Sequence, residues 1–282
     1  MTGIQMEQPP VEEPARTEPD TEPPLTGGPA APRKPRRVLR AVARWTCAVL
    51  AFAAAAAGTA YAVTEKERTD LPGLATESDG RWEYPALKLP ALPKGTPGPF
   101  AASNLARIHH ADLRTLLVPA PRGAKTDKEL PGRGGWLPLT SFAAAFQEDR
   151  RKDIVEQLRE VGLKHIAATG WTMPDGTRTR IYLLRFGNDT TVNELTTGVF
   201  QSQSSMLIEQ GDAVTDDVYD GDSSPEPVLA TVLDEEEPAK VHVRQAYLQA
   251  GDVLAMVVQD RAGAAPAVPF HQTVILQSQL LT

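Results

Sequence analysis

Apolar residues recur with two different periods along the C-terminal part of the chain. Ile154, Val155, Leu158 and Val161 fall on one helical face, and Gly162 sits where a left-handed cap closes such a helix. Residues 163–173 read as a strand, Pro174-Asp175-Gly176 as a turn, and residues 178–186 as the return strand. In that return strand Ile181 and Leu183 alternate with Tyr182 and Leu184 between the two faces. Thr191 with Glu194 forms a capping box that opens a helix carrying Val192, Leu195, Val199 and Met206. A second hairpin joins residues 241–248 to 253–258 through Ala250-Gly251. Pro269 then fits the first turn of a last helix with Phe270, Val274, Ile275 and Leu281. Helix–hairpin–helix followed by hairpin–helix predicts an α+β domain over residues 99–282, an antiparallel sheet with helices packed on one face.

A third pattern has no period at all. Residues 45–64, WTCAVLAFAAAAAGTAYAVT, are 20 positions without a charge, enough at the helical rise to cross a bilayer core of about 30 Å. Trp45 and Tyr61 stand near the two ends, where amphipathic rings favour the headgroup level. The run predicts a transmembrane helix over residues 39–64, with the lipid bilayer as its partner through 45–64. Arg33, Lys34, Arg36, Arg37, Arg40 and Arg44 precede it, while Glu65, Lys66, Glu67, Arg68 and Asp70 follow. The positive-inside rule therefore puts the N-terminus in the cytoplasm and the C-terminal domain outside the cell membrane. The alternative is a signal peptide cut after Ala62, since Ala60-Tyr61-Ala62 has the small-x-small form, which would release a secreted binding module.

The flanks differ from the domain in composition. Residues 1–38 hold nine prolines and no aromatic side chain, too little apolar surface to offset ordering entropy, so a disordered cytoplasmic tail is predicted. Pro72, Pro85, Pro90, Pro93 and Pro97 mark residues 65–98 as an extracytoplasmic linker. Its apolar members Trp82, Tyr84, Leu87, Leu89 and Leu92 either ride on an extended stalk or lie along the domain.

Charge and chemistry narrow the function further. A net charge of −7 argues against a nucleic-acid partner, and the one cysteine, Cys47, lies inside the membrane run, which excludes an internal disulfide framework. No GxSxG, HExxH, GxxxxGK[ST] or GxGxxG pattern occurs, and Gly132-Arg133-Gly134-Gly135 reads as a surface loop. Of the five histidines, adjacent His109 and His110 point apart on a helix. His165 and His242 fall in strands, as neutral imidazoles of a sheet, and His271 completes the set. Asp212, Asp216, Asp217, Asp220, Asp222 and Glu226 crowd one stretch, with Asp217, Asp220 and Asp222 the candidates for holding calcium through oxygen ligands. The spacing is not that of an EF-hand, and a solvated acidic loop is the simpler reading. Asp234 to Glu237 reads as a loop before the next strand. No catalytic residue and no cofactor is predicted.

Residues 241–281, a strand, a short turn, the valine-rich strand VLAMVV and a terminal helix, carry a resemblance. With the tail, single span and proline-rich stalk, the chain resembles actinobacterial single-pass envelope proteins, with likeness to extracytoplasmic sensor domains of the mycobacterial receptor-kinase type. Those sensors use disulfides that Cys47 alone cannot supply, and no functional residue carries over. The resemblance implies an envelope interaction or ligand-sensing role. The function expected is a membrane-anchored, non-enzymatic protein whose outer domain binds an envelope protein or a cell-wall ligand. The alternative from another class is an envelope hydrolase using acidic residues on a cell-wall polymer.

Overall fold

The computed structural model describes residues 36–64, 78–196, 212–237 and 240–282. The chain forms two compact units, Met1–Thr76 and Glu77–Thr282.

In the first unit, α1 (Arg36–Thr64) is one helix of 29 residues, about 43 Å long at the standard rise. Among the described residues no helix is long and apolar enough to cross a membrane. The described side chains of α1 run from Arg40 to Ala54, so most of the alanine run lies outside them. The tail up to residue 35 and linker residues 65–77 also lie outside the described residues.

The second unit is built on one seven-stranded sheet. Its strands are β1 (Lys125–Thr126), β2 (His165–Thr172), β3 (Arg178–Arg185), β4 (Ala213–Thr215), β5 (Leu229–Glu235), β6 (Val241–Ala250) and β7 (Val253–Ala262). They lie in the order β1-β2-β3-β7-β6-β5-β4, every neighbour antiparallel. Among the described residues of this unit the α-helices are α2 (Leu139–Ala143), α3 (Arg151–Glu160), α4 (Asp189–Leu195) and α5 (Ala267–Leu280). The architecture is α+β.

Helices on one face of the sheet is an expectation that the structure corrects. Tyr182, Leu184, Tyr247, Leu254 and Met256 form a core with Phe142 and Phe146 around α2, Ile154 and Leu158 of α3, and Val192 and Leu195 of α4. Ile181, Leu183, Leu248, Val253, Ala255 and Val257 point the other way, onto Phe270 and Val274 of α5. Central β7 is buried on both sides along Val253–Asp260, and strands buried on both sides read as continuous apolar runs rather than alternations.

Segment 78–98 lies along this second face. Trp82 N donates to Gln272 Oε1 at 2.8 Å and Gln272 Nε2 returns a bond to Trp82 O at 2.9 Å. Tyr84 OH meets Thr273 Oγ1 at 2.7 Å, and its ring stands edge-on to Trp171 at 6.1 Å. Burial in this strap raises the Tyr84 phenol well above its ordinary value, the Thr273 bond opposing it.

Two further differences are local. The N-cap of α4 is Asn188, whose Oδ1 accepts from Thr191 N at 2.9 Å, so the helix starts before the Thr191–Glu194 box. Val199 and Met206 lie outside the described residues. Asp234 and Glu235 belong to β5 rather than to a loop.

Candidate functional site

The hairpin between β6 and β7 turns at Gly251-Asp252, and a buried clasp forms there. Gly251 has φ +53, and a Cβ on it would overlap the Arg107 carbonyl. That carbonyl accepts the Asp252 amide at 3.1 Å. To bring its carbonyl there, Arg107 adopts φ +50, the one non-glycine positive φ among the described residues, a conformation that costs about 1–2 kcal/mol for an L-residue. Backbone strain of this kind persists where surroundings over-determine it and concentrates at functional positions.

The surroundings are tied together by hydrogen bonds. Fully buried Asp252 takes His109 N at 2.9 Å and His109 Nδ1 at 2.7 Å on Oδ1, and Arg185 Nε at 3.1 Å on Oδ2. His109 Nε2 reaches the Leu281 carbonyl at 3.0 Å, and Arg185 Nη2 donates to the His109 carbonyl. Both ring nitrogens are thus set against oxygen acceptors, the Asp252 carboxylate and the Leu281 carbonyl. Asn104 shapes the approach: its Nδ2 donates to Gly98 O and Ile108 O, and its Oδ1 accepts from Ile108 N. Residues 107–110 are irregular rather than helical, so His109 and His110 differ through the clasp and not through a helical turn.

On one side of the clasp lies an open cleft of about 260 Å³. It is lined by Arg107, by Asp189, Thr190 and Asn193 of α4, by Gln249 of β6, and by Pro227 and Leu229. Arg107 Nε and Asp189 Oδ2 are 3.6 Å apart with both side chains partly open to solvent, a loose pair. Thr190 and Asn193 are exposed there, and Gln249 is half-buried. On the other side of the clasp is an apolar cleft of about 200 Å³, with Leu89, Pro90, Leu92 and Leu280 in its walls and His109 at its margin.

The residues singled out from sequence fall elsewhere. Asp217, Asp220 and Asp222 are exposed. Asp220 is committed to its own turn, accepting from Asp222 N at 3.2 Å and Ser223 Oγ at 2.8 Å. Among the described residues no group of three or more His, Cys, Asp or Glu is arranged to hold a metal ion. Asp216 leaves the acidic group altogether. It is buried, with His271 Nε2 at 2.7 Å and Arg244 Nη1 at 3.0 Å. The same Arg244 nitrogen is 2.8 Å from Asp234, which is 2.6 Å from His242 Nε2. His242 Nδ1 accepts from Ala265 N at 3.1 Å, which leaves Nε2 as the nitrogen that meets Asp234. This chain of charges ties β5 and β6 to α5. Burial pushes the Asp216 carboxyl up, but the His271 hydrogen bond and charge, the Val218 amide and Arg244 outweigh it and hold the group below the ordinary value. His165 stacks on Trp136 at 4.6 Å, and Arg114 covers the same indole at 4.7 Å. Gly132-Arg133-Gly134 is a short 3-10 turn leading to that tryptophan.

No protein-family model matches the chain. No curated protein matches it either.

Proposed function

We propose that the chain is a single-pass envelope protein, anchored through residues 45–64 with its N-terminus cytoplasmic, and that the unit from Glu77 is an extracytoplasmic, non-catalytic binding domain. The observation that carries the binding role is the cleft at Arg107, where a strained arginine, held by a buried clasp, stands beside hydrogen-bonding side chains that face open space. The anchor is supported by the six basic residues clustered before an uncharged run. It is also supported by Trp45, Val49, Leu50 and Phe52, which α1 leaves 63% or more exposed, apolar surface that water disfavours and lipid does not. The likeness to actinobacterial envelope proteins points the same way.

Membrane fractionation of the full chain tests the anchor. The expected result is retention in the pellet through high-salt and carbonate washes. A soluble product beginning at Val63 would replace the anchored protein by the secreted one.

A further inference from the structure

We infer that the Arg107 cleft takes a single sugar ring bearing an acetamido group, as an N-acetylhexosamine does. This rests on the reading of the unit as a ligand-binding domain and names the ligand class. The walls carry one cation, Arg107, and one anion, Asp189, so the cleft selects no net charge. Both are under-used. Their mutual contact is a single 3.6 Å approach, which leaves most of the five guanidinium donors and the carboxylate lone pairs open to neighbouring hydroxyls. The neutral side chains fix the rest. Gln249 is half-buried at the end of β6 and Asn193 on α4 is exposed, and among the described residues neither makes a side-chain hydrogen bond within the protein. A primary amide offers a donor and an acceptor side by side, and the group that answers both at once is another amide, here the N–H and C=O of an acetamido substituent. Hydroxyls beside it are met by Arg107, Asp189 and Thr190. Leu229, 62% exposed, and Pro227 form an apolar floor, matching the C–H face of a pyranose. At about 260 Å³ the space holds one ring rather than several, and its open side lets that ring belong to a free sugar or to the end of a polymer.

Titration calorimetry on the full chain, in a detergent without sugar head groups, tests this with four probes: N-acetylglucosamine, its trimer, glucose and the dipeptide alanyl-alanine. N-Acetylglucosamine should bind roughly tenfold tighter than glucose, the value of one well-made amide pairing. Gln249→Ala should abolish that preference, bringing N-acetylglucosamine to the affinity that the same variant has for glucose, and Arg107→Gly should weaken both sugars. A tighter trimer would assign the site to polymer, and an equal one to the free sugar, either supporting the proposal. Saturation transfer from protein to the acetyl methyl protons gives a readout independent of any variant. Equal binding of the two sugars, or preference for the dipeptide, would overturn the acetamido assignment and leave the cleft a binding site. No binding of any probe, or binding that neither variant alters, would overturn the assignment together with the cleft's role.

Discussion

Arg107 and Gly251 are a matched pair of exceptions. One is an L-residue in left-handed backbone, the other a glycine that alone leaves room for the first residue's carbonyl. Replacing Arg107 by glycine removes a strain of about 1–2 kcal/mol at an entropic cost of about 0.5–1 kcal/mol. Arg107→Gly should therefore melt at the wild-type temperature or slightly above it, a comparison that differential scanning calorimetry makes directly. Gly251→Ala should do the opposite. It places a Cβ against the Arg107 carbonyl at a positive φ, and should cost at least ~2 kcal/mol, a fall of roughly 4–8 °C for a unit of this size. An unchanged melting temperature in Gly251→Ala would mean that the clasp is not tight. Of this pair only the glycine was legible in the sequence, as a hairpin turn. Nothing in the residues around Arg107 announces a left-handed backbone, because its cause is an amide at Asp252, far along the chain.

Helix α3 and the two hairpins follow closely from periodicity, because each is set by residues within its own stretch. Gly162, at φ +77, closes α3, and Leu163 N bonds back to Leu158 O at 2.9 Å. The misread elements are those whose identity depends on distant partners. Asp234 and Glu235 look like loop residues, yet they end β5 because Asp234 meets Arg244 and His242 of the neighbouring strand. The run VLAMVV carries the mark of a strand buried on both faces, but which layer covers the second face depends on α5 and on the strap through Trp82 and Tyr84. The charge network at Asp216 gives a pH prediction. A carboxyl held below its unfolded value stabilises the fold fully above about pH 4, and that stability is lost as pH falls through the lower native value. Asp216→Asn should lower stability by roughly 2 kcal/mol near neutral pH, in line with bonds to charged groups. It should also flatten the fall in melting temperature below about pH 4. Parallel acid limbs in the two proteins would show that Asp216 is not a group whose protonation weakens the fold.

For the whole molecule, one uncharged run and the basic cluster before it support the proposed arrangement, with a compact unit from Glu77 turned away from the cytoplasm. The class of that unit was legible in its turn signals and alternations. Its cleft was not, since Arg107, Asp189 and Gln249 come from separate elements and share no spacing. The central claim is that this unit faces outward, where an envelope ligand can reach it. It is tested most directly by labelling intact, wall-stripped cells with a membrane-impermeant maleimide, comparing Asp222→Cys, at an exposed position of the unit, with Thr17→Cys in the tail. Labelling at position 222 before permeabilisation, and at position 17 only after it, is the result the account predicts. Labelling at position 17 in intact cells, with position 222 protected until they are opened, would contradict it.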